Sequence, residues 1–229
     1  MPLHPDLTPL ALPDPYLAAA PGSPYWALVP HHIQQMTDSS CSLATTVMLL
    51  NALGAAETEA GLLERLDDRD WRARITPELG GGLPLRFMAG RWAAALAARG
   101  LAGWAAEGVA VETAEDALPE LRAALAEMEA GRAWVAANFH LDRLYGDGSQ
   151  IGHWSPVAAY DAALDRALIL DVYRQDYAPH WTPLPRLAAA MALRDPETRE
   201  ARGYAVLRRG GEPPGRRPGP APLRPAPPP

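Results

Sequence analysis

The period of the apolar pattern changes about halfway along the chain, and this change constrains the fold more than any other feature. In the first half, apolar residues recur at helical spacing, which predicts helices over residues 43–53, 57–66, 85–101 and 112–130. In the second half, short apolar runs predict strands over residues 133–139, 154–160, 167–172 and 204–207, with one helix over 184–193. Helices followed by an antiparallel-leaning sheet are typical of an α+β fold, and the cleft between the two parts is a natural place for a site.

Proline-rich segments mark both ends of the chain. We expect residues 1–24 to form a proline-rich N-terminal arm that can still pack on the body, and residues 25–209 to form one body without internal repeats. Residues 210–229 hold nine of the 25 prolines and almost no large apolar residues. Such a composition cannot pack a core, so this segment is predicted to be a disordered, solvated tail.

Composition and charge exclude several classes of protein. The 229 residues are enough to bury a core, and 27 acidic against 21 basic residues give a net charge of −6, which argues against a sequence-independent nucleic-acid binder. A single cysteine excludes a disulfide framework and any site built from several thiolates. Because no apolar run approaches roughly 18 residues and the N-terminus lacks a basic start, we expect a cytoplasmic protein without a membrane partner.

The single cysteine, Cys41, stands directly before the apolar helix predicted from residue 43. The positive end of the helix dipole favours the thiolate, which is the reactive form of the side chain. Gln35 lies six residues earlier, and its amide together with the Cys41 backbone N–H would form an oxyanion hole. An inert buried cysteine is the alternative, and the Gln-x5-Cys pattern is weak by itself because Gln34 confuses the register.

His153 is the most informative of the six histidines, because it opens a predicted strand directly after a glycine-containing loop. A hairpin centred near residue 162 or 163 brings Asp171 to within a residue or two of the level of His153, where facing side chains lie roughly 5 Å apart. Asp171 would then hold one imidazole nitrogen and leave the other for a thiol, or else it caps the next turn. A cysteine at a helix start, followed by His and Asp on adjacent strands, is the chain order of papain-like cysteine acyltransferases and peptidases.

Short runs of sequence on both sides of His153 form a distinctive set. They are VMLLNAL at residues 47–53, GHWSPV at 152–157, ALILDV followed by an arginine at 167–174, PHWTPL at 179–184 and RGY at 202–204. This set, with the spacing of the four candidate catalytic residues, resembles the phytochelatin synthases, which are glutathione γ-glutamylcysteinyltransferases. The resemblance covers residues 25–208; it is strong from residue 152 onward and loose between residues 54 and 132.

The resemblance implies a papain-like cysteine protease fold and a defined reaction on glutathione. Cys41 would attack the Cys–Gly amide, release glycine and carry a γ-glutamylcysteinyl thioester, which passes to water or to a second glutathione. His153 would serve as base and then acid, Asp171 would orient it, and Gln35 with the Cys41 amide would hold the oxyanion.

The resemblance also implies that arginines near the cleft bind the carboxylates of glutathione. Arg202 and Arg143 are the candidates, the latter ten residues before the histidine as in family members. Arg174 is expected to be structural, with substrate binding as the alternative. Family members usually have glycine after the cysteine, where this chain has Ser42, so a side chain is expected where the substrate backbone should approach.

The sequence departs from the plant enzymes in having no cysteine-rich region, and it resembles the short bacterial type, for which hydrolysis is the more expected activity. No built-in cofactor or metal is expected, and heavy-metal ions such as Cd(II) would arrive as glutathione thiolate complexes. A homodimer is left open. The alternatives are a papain-like peptidase acting on another peptide or γ-glutamyl conjugate, and a non-catalytic module that binds thiol peptides.

Two histidine motifs are set aside at this point. His31 and His32 form a tempting metal pair, but adjacent residues on an extended segment point in opposite directions, so ordinary roles are favoured. His180 lies within the PHW run and is expected to make a structural hydrogen bond.

Overall fold

The structure is a computed structural model, which describes residues 3–76, 81–195 and 199–210. In chain order the elements are β1 (Thr8–Pro9), α1 (Pro15–Ala19), α2 (Pro24–Leu28), a 3₁₀ turn (Val29–His31), α3 (Cys41–Ala52), α4 (Glu59–Leu66), α5 (Arg69–Arg74), α6 (Leu85–Ala98), β2 (Trp104–Ala110), α7 (Ala114–Glu129), β3 (Ala133–His140), α8 (Leu141–Tyr145), β4 (Gly152–Asp161), β5 (Arg166–Ile169), β6 (His180–Pro183), α9 (Leu184–Met191) and β7 (Gly203–Arg209).

The strands form one sheet in the order β1-β6-β5-β4-β3-β7-β2. Every neighbouring pair is antiparallel. The predicted combination of helices with an antiparallel sheet is therefore confirmed. No helix in the described ranges is long and apolar enough to cross a membrane.

Helices cover both faces of the sheet, which differs from the predicted arrangement of a helical half packed on a sheet half. On β3, Ala136 belongs to the apolar cluster that contains α3 and α6, whereas its neighbours Val135 and Ala137 belong to the cluster that contains α7 and α9. Successive side chains of a strand point to opposite faces, so each central strand contributes to both clusters. Burial on both faces explains why these strands are apolar without interruption.

The sequence pattern did not predict strand β2 (Trp104–Ala110). Its residues, WAAEGVA, are mostly small or polar and poor in β-branched side chains, and most of them are exposed. The strand lies at the edge of the sheet and pairs along its whole length with β7. Pairing with a neighbour distant in sequence, and not local preference, therefore places this segment in the sheet.

The described part of the N-terminal arm, residues 3–24, packs on the opposite end of the sheet. Strand β1 pairs with β6, the Asp14 carboxylate accepts a hydrogen bond from the Trp181 indole at 3.0 Å, and the Tyr16 hydroxyl donates to the Tyr160 carbonyl at 2.7 Å. These contacts join the arm to two strands of the body. Of the predicted tail, Gly210 is described and residues 211–229 lie outside the described residues.

Candidate active site

Cys41 is the first residue of helix α3, two residues earlier than the start predicted for that helix. The helix is buried from Cys41 to Leu50, so it is held on all sides by packing. One turn into the helix, the Thr45 hydroxyl donates to the Trp154 carbonyl of β4 at 3.2 Å. This bond ties the start of the helix to the strand residue that follows His153.

The β4–β5 hairpin brings His153 and Asp171 together. Asp161 pairs with Arg166, and a bulge between Val157 and Ala159 shifts the register by one residue along β4. Strand β5 ends at Ile169, so Asp171 reaches the imidazole from the segment beyond the strand. The distance between His153 Nε2 and Asp171 Oδ1 is 2.8 Å.

The His153 imidazole lies between Asp171 and the thiol of Cys41. Burial lowers the pKa of His153, but the Asp171 charge, the hydrogen bond to Asp171 and the hydrogen bond with Cys41 raise it more, to about 10. Because Nε2 faces Asp171, Nδ1 is the nitrogen left for the thiol. A raised pKa favours the protonated imidazole, the form that carries a positive charge on the side of the sulfur.

Asp171 is fully buried, and its oxygens are well supplied with donors. Oδ1 accepts from the Tyr173 backbone N–H at 2.7 Å in addition to His153, and Oδ2 accepts from the Tyr145 hydroxyl at 2.5 Å. The Asp171 carbonyl lies 2.7 Å from His32 Nε2. Burial raises the pKa of Asp171, but the charge of His153 and the hydrogen bonds from His153, Tyr145 and Tyr173 hold it below its usual value.

A cleft opens beside Cys41, and the space within it and at its open mouth is about 720 Å³. Its lining combines small and apolar residues with four charged ones, which are Arg74, Asp195, Glu200 and Arg202. Such a mixture of an apolar wall and a few polar groups is typical of sites for small molecules.

Arg202 is the one predicted arginine that lines this cleft. It is only 3% exposed, donates to the Leu193 carbonyl at 2.8 Å and pairs with Asp195 at 3.1 Å. A Cβ atom at Gly152 would lie 2.9 Å from Arg202 Nε. The glycine before His153 thus leaves room for the guanidinium to lie against the strand that carries the base.

The structure does not bring the other two predicted arginines to the cleft. Arg143 lies exposed on the short helix α8 and is not among the residues that line the cleft. Arg174 is exposed as well and donates to the His32 carbonyl at 2.7 Å. It therefore holds the segment whose imidazole contacts Asp171, which is the structural role expected for it.

Gln35 is buried close to the end of β5. Its backbone N–H donates to the Val172 carbonyl at 2.8 Å, and its side-chain Nε2 donates to the Thr37 carbonyl at 2.9 Å. Within the described ranges, Oε1 of Gln35 is buried without a partner, and no acceptor is found for the Cys41 backbone N–H. The role of these two groups as an oxyanion hole stays a prediction.

The expected obstruction by Ser42 is wrong for this structure. Ser42 is fully buried and does not line the cleft. Its hydroxyl accepts a hydrogen bond from the Trp71 indole at 3.0 Å, and its carbonyl accepts from the Thr46 hydroxyl at 2.7 Å. The side chain points into the core because the second residue of α3 lies on the face that packs against α5.

Sequence reasoning missed several residues of the site, which are Tyr145, Trp71, Arg74 and His32 in its contact with Asp171. Tyr145 ends helix α8, and no motif singles it out.

His180 contacts the Ala178 carbonyl at 2.8 Å, as expected for a structural residue. In the part of the chain that the structure describes, no group of three or more His, Cys, Asp and Glu residues is placed to hold a metal ion.

The chain is similar to known proteins over part of its length. The family model of phytochelatin synthase matches residues 100–204. The glutathione gamma-glutamylcysteinyltransferase 1 of Lotus japonicus is 41% identical over 81 residues, 35% of this chain and 16% of that protein. The protein of the same name from Arabidopsis thaliana is 42% identical over 82 residues, 34% of this chain and 17% of that protein. The match thus spans less than a fifth of the length of either relative.

Among solved structures, a crystal structure of a double glycine motif protease from an AMS/PCAT transporter, in complex with the leader peptide, has a TM-score of 0.40 and 14% sequence identity. It covers 78% of this chain and 90% of that chain. A likeness at that TM-score does not establish a shared fold. Similarity to the phytochelatin synthase family is established for residues 100–204, the part of the chain that contributes His153 and Asp171.

Proposed function

We propose that the protein is a cysteine-dependent acyltransferase or hydrolase that cleaves glutathione at its Cys–Gly amide, with a papain-like arrangement of its catalytic residues. The observation that carries this proposal is the His153 imidazole, hydrogen bonded to the buried Asp171 and close enough to Cys41 for the thiol to raise its pKa, with Cys41 lining a cleft. The names of the relatives supply the substrate, since both are glutathione gamma-glutamylcysteinyltransferases.

In the first step, the Cys41 sulfur attacks the carbonyl carbon of the Cys–Gly amide and an S–C bond forms. Before attack the thiol of Cys41 gives its proton to His153 Nδ1, and the imidazolium stabilises the thiolate, because opposite charges attract strongly in a buried site. The oxyanion that develops would accept hydrogen bonds from the backbone N–H of Cys41 and the amide of Gln35, the role predicted for these two groups. Asp171 keeps the ring in position throughout.

In the second step, the C–N bond breaks and His153 gives its Nδ1 proton to the departing glycine amine. A γ-glutamylcysteinyl thioester remains on Cys41. Water or the amino group of a second glutathione then attacks the thioester carbonyl, and the now neutral imidazole takes up the proton of the attacking group. The S–C bond then breaks and the Cys41 sulfur leaves as thiolate. Attack by water completes hydrolysis, and attack by glutathione lengthens the peptide by one γ-Glu-Cys unit.

Two guanidinium groups in the cleft suit an anionic tripeptide. Arg202 is buried and already oriented by Leu193 and Asp195, so it can bind a carboxylate at little cost in side-chain entropy. Arg74 uses Nε to contact Asp70, and Asp70 is paired with Arg91 as well. We assign Arg202 to one carboxylate of the substrate and Arg74 to the other. Heavy-metal ions would enter this site as thiolate complexes of glutathione and hence as part of the substrate.

The test is to incubate the protein with glutathione, with and without Cd(II), and to resolve the products by mass spectrometry beside the Cys41→Ala variant. Free glycine with γ-Glu-Cys indicates hydrolysis, and longer γ-Glu-Cys oligomers indicate transfer. Both must disappear in the variant. If glutathione is inert but another peptide or γ-glutamyl conjugate is cleaved in a Cys41-dependent manner, the substrate assignment is wrong. If none of these is cleaved, the assignment of an acyl-transfer activity is wrong too.

A further inference from the structure

The Tyr145 hydroxyl contacts the oxygen of Asp171 that the imidazole does not use. Oδ1 of Asp171 accepts hydrogen bonds from the His153 imidazole and the Tyr173 backbone N–H. Oδ2 lies 2.5 Å from the Tyr145 hydroxyl oxygen. Within the described ranges, Tyr145 is the one residue found to donate a hydrogen bond to Oδ2. Since Asp171 is fully buried, this oxygen depends on Tyr145 for its hydrogen bond.

The ring of Tyr145 is held in place by its neighbours. It stacks on Tyr177 with centroids 3.8 Å apart and planes 7° apart, and it makes edge contacts with Phe139 and His180 at 6.0 and 5.3 Å. The Tyr177 hydroxyl, in contrast, donates to Asp147. In the stacked pair, the Tyr145 hydroxyl is therefore directed at Asp171, and the Tyr177 hydroxyl is directed away from it.

We propose that Tyr145 is a positioning residue of this site, whose hydroxyl keeps the Asp171 carboxylate ionised and aimed at His153. A hydrogen bond donated to a buried carboxylate stabilises the charged form, and its loss leaves an unsatisfied buried oxygen. The carboxylate then takes up a proton more readily, and a protonated Asp171 cannot stabilise the imidazolium. This proposal rests on the proposed function, because it assigns Tyr145 a part in the same acyl transfer.

Several other titratable groups face Asp171 from the elements packed around it. These are His153 on β4, Tyr177 in the segment after β5, His180 at the start of β6, and His32 after the 3₁₀ turn. Among them, His153 contacts a carboxylate oxygen through its side chain and His32 contacts the backbone carbonyl. A change confined to the Tyr145 hydroxyl therefore alters the hydrogen bonding of Oδ2 and leaves these contacts in place.

The experiment compares Tyr145→Phe with Tyr177→Phe in the full chain. Both variants keep the stacked rings and remove one hydroxyl, but only the first removes a donor from Asp171. For Tyr145→Phe we expect the acid limb of the kcat/KM profile on glutathione to move to higher pH by about one unit, which is about a tenfold loss on that limb. For Tyr177→Phe we expect the limb to stay where the unmodified protein has it.

A second readout does not need substrate. In protein labelled with ¹³C at the aspartate carboxyl carbons, the Asp171 signal is assigned by its absence in Asp171→Asn and titrated against pH. Its midpoint should rise in Tyr145→Phe and stay in place in Tyr177→Phe. Because this titration follows Asp171 directly, it still tests the role of Tyr145 if glutathione is not the substrate.

An upward shift of both the acid limb and the carboxyl titration in Tyr145→Phe alone supports the proposal. If glutathione is not turned over, the carboxyl titration alone decides. A uniform loss of kcat without movement of either titration would mean that Tyr145 only packs, and equal shifts in both variants would mean that the stack, not the hydroxyl, is responsible. Either result overturns the proposal, as does a Tyr145→Phe protein with unchanged titrations and unchanged activity.

Discussion

The two parts of the chain that supply the candidate site differ in how they are recognised. Residues 100–204 match a family model and contribute His153 and Asp171, whereas Cys41 lies outside that match. The matched part holds polar groups at hydrogen-bonding distance in a buried region, as the 2.8 Å between His153 and Asp171 shows. Helix α3 is buried from Cys41 to Leu50 and has the cysteine at its start. One part thus supplies a polar network, and the other supplies an apolar support for the candidate nucleophile.

Hydrogen bonds join the two parts across the cleft. Thr45 donates to the Trp154 carbonyl, the Gln35 backbone donates to the Val172 carbonyl, and the Trp154 indole donates to the Leu83 carbonyl at 2.7 Å. Each bond connects a residue before position 100 with a residue in the matched segment. The relative position of Cys41 and His153 is set by these contacts and by the packing of α3 on β4.

The largest effect is expected from residues that must act as one unit although they come from different parts. Cys41→Ser and His153→Gln should each lower the rate of glycine release by about 10⁴-fold or more, and the double variant should lose no more than either single one. Glycine release is measured by mass spectrometry, with thermal unfolding as the control for folding. Additive losses would show that the two residues do not cooperate.

The buried pair should also make stability depend on pH. The pKa of His153, raised from 6.5 to about 10, means that its contribution is complete below about pH 6.5 and is lost as the pH rises toward 10. The pKa of Asp171 is lowered, so its contribution is present above its usual value near 3.8 and is lost as the pH falls below it. Urea unfolding from pH 4 to 10 should show the difference between the unmodified protein and His153→Gln shrink with rising pH. A constant difference would contradict the shift.

Within the matched segment, two arginines should behave differently. Arg202→Gln should raise KM for glutathione about 10- to 100-fold, because the variant loses the buried guanidinium proposed to bind a carboxylate of the substrate. Arg143→Gln is the control, since Arg143 is exposed and does not line the cleft. KM is measured for both variants by steady-state kinetics. If Arg143→Gln raised KM more than Arg202→Gln, the assignment of Arg202 to the substrate carboxylate would be wrong.

In the helical part, Ser42→Gly should affect stability and leave catalysis alone. It removes the acceptor of the Trp71 indole and places glycine in the first turn of α3, so the free energy of unfolding should fall by about 1–2 kcal/mol. KM and kcat should not change. The free energy is measured by urea unfolding, and a lower KM without loss of stability would indicate that Ser42 does obstruct the substrate.

The smallest effect is expected at the half-exposed wall of the cleft. Arg74→Gln should raise KM about fivefold, because contacts of partly exposed charges contribute on the order of 1 kcal/mol. Arg72→Gln on the same helix is the matched control, as Arg72 is exposed and does not line the cleft. Equal KM values for the two variants would remove Arg74 from the proposed binding site.

Prediction from sequence was most successful where the information is local. The start of α3 near Cys41, the helix at 114–129 and the hairpin that carries His153 follow from periodicity and turn residues within a few positions. Strand β2 was not predicted, because its pairing partner is distant in the chain. Arg143, predicted to bind substrate, does not line the cleft, and the variants above test that prediction. The end of β5 was placed three residues too late, since the bulge in β4 and the turn of the chain at Asp171 have no local signal.

By itself, the sequence predicted a cysteine at the start of a buried helix and a histidine and an aspartate brought near each other by one hairpin. Those features depend on residues that are neighbours along the helix or across one turn. The tertiary structure decided which groups complete the site: Tyr145 on Oδ2 of Asp171, Arg202 against Gly152, and Ser42 turned toward Trp71. Each of these contacts joins residues whose meeting depends on how helices pack on the sheet, and no pattern within a short segment encodes that packing.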